Sequence, residues 1–239
     1  MVKLISGPDF EKSSIFVFDI DGTQLTIPVP EDALDGTMSA DASIKNLDND
    51  ESYDVQDAGY MFGKRILKTS LNYHDASSKL DLESTRIMIE LLRVDNFRPQ
   101  SNKNLLSISE ANKVFFHMLL GFKDILKATK SPEKFCLFPN SERDIQEIFS
   151  NNISWLFTKR GYIEVSAPEH TFVTPITNNH LLMIDINTGT YPFGTDEQSA
   201  QMRAEAEADV FDFIRSIRIE FSPEVQAEID EVRGAMEAL

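Results

Sequence analysis

The stretch SIFVFDIDGTQLTIPVP, residues 14–30, alternates apolar and polar side chains on both sides of an Asp-Gly pair. Alternation with a period of two is typical of a β-strand that buries one face. A two-residue loop at Asp21 and Gly22 places Phe18 opposite Leu25, and Asp-Gly favours the type I′ turn that such a loop needs. The stretch therefore predicts an antiparallel β-hairpin.

The rest of the chain predicts further hairpins and several helices, so we expect an α+β fold in which an antiparallel β-sheet built from hairpins has helices packed against it. Before position 150 the sequence predicts strands at 60–74 and 84–94, followed by a long helix that begins with the Ser-x-x-Glu capping box at 107–110. It also predicts a short helix that begins near Ser141 and directs Ile145, Ile148 and Phe149 inward. After it they are a hairpin at 155–165 with a loop at 159–161 and a hairpin at 171–186 turning at Asn178 and Asn179.

We predict a single domain over residues 1–239, a length that can bury a sizeable core. Residues 31–58 contain many acids and few large apolar side chains, which predicts an exposed acidic loop. Residues 196–239 predict a C-terminal helical segment, in which Ser222 caps a second helix that begins at Pro223. The apolar stripe of its first helix is Met202, Ala206, Val210, Phe213 and Ile217.

Charge and cysteine content narrow the function classes. The chain has 39 acidic and 23 basic residues, for a formal net charge of −16. Such a protein repels phosphate backbones and anionic lipid, so we expect no nucleic-acid and no membrane partner, whereas a basic protein would be attracted. Cys136 is the single cysteine, so no internal disulfide can form, and we find no signal-peptide or membrane-spanning pattern. A cytoplasmic location is the expectation.

The Asp-x-Asp-Gly-Thr string at 19–23 resembles the first motif of the haloacid dehalogenase superfamily. That resemblance implies a Mg²⁺-dependent phosphohydrolase with Asp19 as nucleophile and Asp21 as acid/base. The other motifs of that family do not follow: Gln24 stands where an apolar residue is usual, and the last apolar strand offers Asp185 alone. We therefore prefer the hairpin interpretation, with no catalytic residue, metal or cofactor, and keep the phosphohydrolase as the alternative.

The C-terminal half, with a strand pair around HTFVTPITNNHLLMIDI (170–186) and a helix ending in FDFIRSIRIEFSP (211–223), resembles small α+β proteins of the Mog1/PsbP/DcrB type. It is also similar to proteins encoded next to type VI secretion effectors. These resemblances imply a non-catalytic cytosolic binding protein, most specifically an immunity protein that neutralises a bacterial toxin or secreted effector by direct binding. An effector-loading chaperone is a further alternative.

The acids of the predicted loop are the candidate residues for binding a basic protein partner. A calcium site is not expected there, because Tyr53 stands where the calcium loop needs glycine and Gly59 where it needs a glutamate. The four histidines show no zinc-binding spacing. The candidate partner-binding residues are Asp48, Asp50, Glu51, Asp54 and Asp57.

Overall fold

In a computed structural model, the structure describes residues 3–41, 43–57, 61–94, 104–128, 136–162, 168–189 and 195–237. The fold is α+β, with antiparallel sheets packed against helices, as the sequence predicts. In chain order the strands are β1 (Ile5–Ser6), β2 (Ser13–Ile20), β3 (Thr23–Pro30), β4 (Met38–Ser39), β5 (Ser43–Ile44), β6 (Val55–Asp57), β7 (Met61–Leu71), β8 (His74–Asp75), β9 (Thr85–Arg93), β10 (Cys136–Leu137), β11 (Gln146–Ser150), β12 (Ile153–Tyr162), β13 (Glu169–Pro175), β14 (His180–Asn187) and β15 (Arg218–Glu220). The α-helices are α1 (Ile108–Ala128), α2 (Asp196–Ser216) and α3 (Pro223–Glu237), and 3-10 helices span Glu31–Gly36, Asp50–Ser52 and Glu142–Asp144.

The main sheet is antiparallel throughout and has the strand order β10-β12-β13-β14-β9-β7-β4. β11 lies beside β10 along β12, and β6 lies beside β4 along β7. The predicted hairpin at 171–186 is confirmed, because Pro175 faces Leu181 and the N–H of Ile176 donates to the carbonyl of His180 at 2.8 Å. β1 and β8 form a separate two-stranded pair.

The small sheet has the strand order β15-β3-β2-β5 and contains the hairpin that the sequence predicts. Phe18 faces Leu25 across antiparallel strands, as expected from a two-residue loop. Asp21 and Gly22 have φ values of 49° and 85°, the left-handed geometry of a type I′ turn. β5 adds to the other side of β2 in parallel, over two residues only.

The two faces of the main sheet carry two different cores. One face packs against α1, whose buried residues include Val114, Phe115 and Met118. The other face packs against the small sheet and α2, and its core extends from Ile5 to Ile219. The stripe that the sequence predicts on α2 is confirmed, because all five residues are buried: Met202, Ala206, Val210, Phe213 and Ile217.

The C-terminal segment contains a strand as well as the two predicted helices, which corrects the expectation of an all-helical segment at 196–239. β15 lies between α2 and α3 and pairs with β3, because the small sheet offers it an edge. The predicted cap of α3 is confirmed: the N–H of Val225 donates to Ser222 Oγ at 3.3 Å, and Pro223 is the first helical residue.

The acidic segment (31–58) is structured where the structure describes it, and the prediction of a loop is corrected there. It contains two 3-10 helices and the strands β4, β5 and β6, which add to both sheets. Three modest apolar residues anchor it, since Ala33, Ile44 and Leu47 are buried. Sheet edges at β7 and β2 supply the hydrogen-bonding partners that the composition of the segment does not reveal. Within the described side chains its acids are exposed, as predicted: Glu31, Asp32, Asp35, Asp41, Asp48, Asp50, Glu51 and Asp54.

The hairpin predicted at 155–165 is wrong, because β12 runs straight through the expected loop at 159–161 and pairs with β13. Gly161 adopts a φ of 113° within the strand instead of in a turn. The short helix predicted from Ser141 is also wrong beyond one 3-10 turn. β11 follows it and forms a hairpin with β12 through the left-handed pair Asn151 and Asn152. Phe149, predicted inward, is 66% exposed.

Candidate functional site

The Asp-x-Asp-Gly-Thr string forms the tip of the β2–β3 hairpin. Asp19 Oδ1 accepts a hydrogen bond from the backbone N–H of Gly22 at 2.8 Å, so this carboxylate closes the turn. β3 follows antiparallel to β2, whereas the phosphohydrolase resemblance implies a parallel sheet with a helical crossover. The geometry gives Asp19 a role in the turn, and it offers no observation in favour of a catalytic pair with Asp21.

One side of β2 lacks a neighbouring strand over most of its length. Among the described residues, β5 pairs only with the last two residues of β2, which leaves residues 13–18 without a strand partner on that side. Hydrogen-bonded pairs of a hairpin alternate with non-bonded pairs, starting here with Ile20 and Thr23. Ile15 and Val17 therefore direct their backbone N–H and C=O groups away from β3 and towards the open side. We refer to residues 13–18 as the β2 edge.

The side chains of the β2 edge are apolar and partly exposed. Ile15 is 60% exposed and Val17 is 47% exposed, and both lie on the outer face of the small sheet because they are two residues apart. Charged side chains usually protect a strand edge of this kind, yet no charged residue lies between Lys12 and Asp19. The β2 edge therefore has both the free backbone groups and the apolar side chains to which an extended segment of another chain can pair.

Two of the five candidate partner-binding acids are paired with basic side chains. Asp50 Oδ1 lies 2.5 Å from Nη2 of Arg93. Asp54 Oδ1 lies 2.8 Å from Nζ of Lys64 on the neighbouring strand β7. These pairs fix the position of the segment that carries the acids, and they also neutralise part of its charge.

The remaining candidate acids are less constrained. Asp48 and Glu51 are exposed, and neither has a basic side chain within 4 Å among the residues that the structure describes. Asp57 lies in β6 opposite Met61, and its side chain lies outside the described part. Against one exposed lysine, Lys45, the segment has the further exposed acids Glu31, Asp32, Asp35 and Asp41.

Arg93, at the end of β9, binds the acidic segment (31–58) through its buried side chain. It is only 4% exposed, and its Nη1 donates to the backbone carbonyl of Asp48 at 2.9 Å. Its guanidinium lies 4.1 Å from the ring centre of Phe62 and 5.1 Å from that of Tyr53, within the range of cation–π attraction. The Tyr53 hydroxyl is in turn 2.8 Å from Nε2 of His180. Arg93 is not among the residues predicted from the sequence, although an arginine that ends an apolar strand indicates a buried partner.

A second buried charge cluster lies on the α1 side of the main sheet. Arg160 Nη2 donates to Asp185 Oδ2 at 2.7 Å, and Thr171 Oγ1 donates to Asp185 Oδ1 at 2.6 Å. Arg160 also lies 4.6 Å from the ring centre of Phe122 on α1. Burial, reinforced by the nearby charge of Asp185, raises the pKa of Glu90. Each charge at the centre of this cluster has a direct partner, which is what burial requires.

The described residues also exclude two kinds of arrangement. Within the described ranges, no three His, Cys, Asp or Glu side chains come together in a way that could hold a metal ion. None of the described helices combines the length and the hydrophobicity needed to cross a bilayer.

A scan against models of known protein families found no match, and searches of curated proteins and of solved structures found none either.

Proposed function

We propose that the protein is a non-catalytic, cytoplasmic binding protein, most specifically an immunity protein that neutralises a bacterial toxin or secreted effector by direct contact. The observation that carries the proposal is the β2 edge, which offers free backbone hydrogen-bonding groups and exposed apolar side chains in one place. Main-chain bonding gives such an edge affinity for an extended segment, and the side chains of Ile15 and Val17 give it selectivity.

The partner that fits this surface presents an extended, basic segment. Asp9 and Glu11 precede the β2 edge in sequence, and Asp19 and Asp21 follow it, so carboxylates flank both ends of the apolar edge. Lys12, at the start of the edge, pairs with Asp9 at 3.2 Å. The exposed acids of the acidic segment extend the negative surface. Together with a net charge of −16, they accelerate the encounter with a cationic protein, while the apolar contact slows its dissociation.

The apolar side chains contribute a bounded amount of affinity. Full burial of an isoleucine or valine side chain is worth about 1.5–3 kcal/mol, and about half of each side chain is still exposed here. A partner that covers both therefore gains about 2 kcal/mol, before the backbone hydrogen bonds are counted. The loss of one of these side chains, about 1 kcal/mol, should reduce the affinity by roughly fivefold.

The test uses the product of a gene adjacent to the one encoding this chain as the candidate toxin. The two are co-expressed, and complex formation, cell survival and the affinity of the purified pair are measured. We expect Val17→Glu to weaken binding at least tenfold and to abolish protection, because it places a charge in an apolar contact. Phe149→Glu is the matched control, since Phe149 is an exposed apolar residue (66% exposed, against 47% for Val17) on β11, a strand of the main sheet.

Three results separate the alternatives. If the adjacent product neither binds nor becomes less toxic, the proposal is wrong. If Val17→Glu and Phe149→Glu weaken binding equally, the β2 edge is not the contact. A purified complex in which the partner is stabilised but fully active favours the effector-loading chaperone instead.

A further inference from the structure

The α1 side of the main sheet is apolar at one end and charged at the other. Cross-strand neighbours share a face, so the register puts Arg160, Glu169, Asn187 and Arg86 in one row across β12, β13, β14 and β9. The next row carries Thr158, Thr171, Asp185, Met88 and Lys68 on β12, β13, β14, β9 and β7. α1 packs over the apolar end, near Met183 and Val173.

A cavity of about 220 Å³ opens among these two rows. Its volume corresponds to about seven water molecules at the density of the liquid, which suits a small metabolite. Lys68, Arg86 and Asn187 line one part of it, Glu169 and Asp185 line another, and Met88 contributes an apolar surface between them.

The first part of the cavity presents hydrogen-bond donors. Lys68 and Arg86 are diagonal neighbours on adjacent strands, close enough for their long side chains to reach the same group. Within the described residues, neither has a carboxylate within 4 Å, although acids outnumber bases in the chain as a whole. Asn187 Oδ1 already accepts the N–H of Gly189 at 2.9 Å, so its amide N–H groups are the part left to bind a ligand.

The second part of the cavity presents acceptors. Both carboxylate oxygens of Asp185 are occupied by Arg160 and Thr171, as described above. Glu169 is less well compensated, since its Oε2 lies 3.6 Å from Arg160 Nη2, and burial raises its pKa. A partly buried carboxylate of this kind gains from a cation placed beside it.

The two parts together select the ligand. Arg86 and Glu169 stand on either side of Asn187 in one row, two strand spacings or about 10 Å apart at the backbone. A simple anion would meet repulsion from Glu169 and Asp185, and a simple cation would meet repulsion from Lys68 and Arg86. A molecule that carries both charges satisfies the donors and the acceptor at once.

We infer that this cavity binds a small zwitterion, a free α-amino acid, with its carboxylate at Lys68 and Arg86 and its ammonium group at Glu169. This site is separate from the protein-binding role proposed above. The side chain of the amino acid lies against Met88, so a small or apolar one fits best.

The test measures binding of the twenty standard L-amino acids to the intact protein by calorimetry and thermal shift. We expect saturable binding of at least one, and at least a tenfold loss when its ammonium group is acetylated or its carboxylate is converted to an amide. Glu169→Gln and, independently, Arg86→Gln should each weaken binding at least tenfold in a protein that keeps its circular dichroism spectrum. Lys68→Met provides a second variant on the donor side, should Arg86→Gln fail to fold.

Arg65→Gln is the matched control, because Arg65 lies on the same face but pairs with Glu90 at 3.7 Å outside the cavity lining. Its binding should equal that of the unchanged protein. Absence of binding by all twenty amino acids overturns the inference, and so does binding that Glu169→Gln and Arg86→Gln leave intact. Inorganic phosphate that binds as tightly as the best amino acid would show a simple anion site and would also overturn it.

Discussion

Replacement of Arg93 by methionine tests whether a buried cation holds the acidic segment in place. Arg93→Met keeps an apolar side chain of similar length in contact with Phe62 and Tyr53, but removes all the hydrogen bonds of the guanidinium. The carbonyl of Asp48 then loses its donor, and the carboxylate of Asp50 loses its ion pair. The change therefore separates the anchoring of the segment from the packing beneath it.

The size of the effect follows from the three contacts. A hydrogen bond from a charged donor to a carbonyl is worth about 2 kcal/mol. The Asp50 side chain is 68% exposed, so water replaces Arg93 there at a cost of only about 0.5 kcal/mol. Loss of the cation–π attraction to two rings adds about 1 kcal/mol. We expect a total of about 3.5 kcal/mol, a large part of the stability of a typical domain.

Urea unfolding and amide hydrogen exchange together measure this effect. We expect the free energy of unfolding to fall by about 3.5 kcal/mol, and exchange in 47–54 to accelerate by roughly 300-fold if the segment opens locally. Lys64→Met is the matched control, because Lys64 is more exposed than Arg93 and its ion pair with Asp54 should contribute less than 1 kcal/mol. Exchange in 47–54 that stays unchanged in Arg93→Met, with stability reduced by less than 1 kcal/mol, would refute the reasoning.

Two further predictions concern the hairpin and α2. Gly22→Ala should destabilise the protein by about 1–2 kcal/mol in urea unfolding, because φ is +85° and the new Cβ would lie 3.3 Å from Ser222 Cβ. Burial raises the pKa of Asp209 from 3.8 to about 6, so protonation of Asp209 stabilises the fold below about pH 4, and this stabilisation is lost as the pH rises through 6. Asp209→Asn should therefore raise stability by about 1 kcal/mol at pH 8, a value reduced from about 3 because the side chain is half-buried, and change it little at pH 4. Equal effects of Asp209→Asn at the two pH values would contradict this assignment.

Local sequence is sufficient to predict an element where one short-range rule determines its structure. The β2–β3 hairpin follows from alternation and an Asp-Gly turn, and its register is the one that pairs Phe18 with Leu25. The stripe on α2 follows from a period of 3.6, and the start of α3 from the Ser222 cap. In each case the decisive residues lie within about twenty positions of one another.

Local sequence gives the wrong prediction where contacts with residues distant in the chain determine the secondary structure. The glycine at 161 is compatible with a turn, but β12 stays extended because β13 and β10 pair on its two sides. Ile145, Ile148 and Phe149 have helical spacing, yet residues 146–150 form β11, because the tight Asn151-Asn152 turn returns the chain to pair with it. Phe149 consequently points to the outer side of an edge strand, where it is exposed.

The candidate sites were predictable only in part, for the same reason. The acids of residues 48–57 and their exposure can be expected from composition, but the anchor of that segment is more than forty positions away at Arg93. The row that joins Arg160, Glu169 and Arg86 exists only because β12, β13, β14 and β9 align in one register. Charged residues at alternate positions of an apolar strand indicate that one face of the strand is polar, but they do not indicate which residues that face contacts.

The two proposed surfaces lie on opposite sides of the main sheet, which makes them independent. The β2 edge belongs to the small sheet, which packs on one face through the core that includes Phe18 and Ile89. The cavity opens on the other face, beyond the end covered by α1. A partner bound at Val17 therefore does not contact an amino acid bound at Arg86. Occupation of one surface should consequently leave affinity at the other unchanged, and each proposal stands or falls on its own measurement.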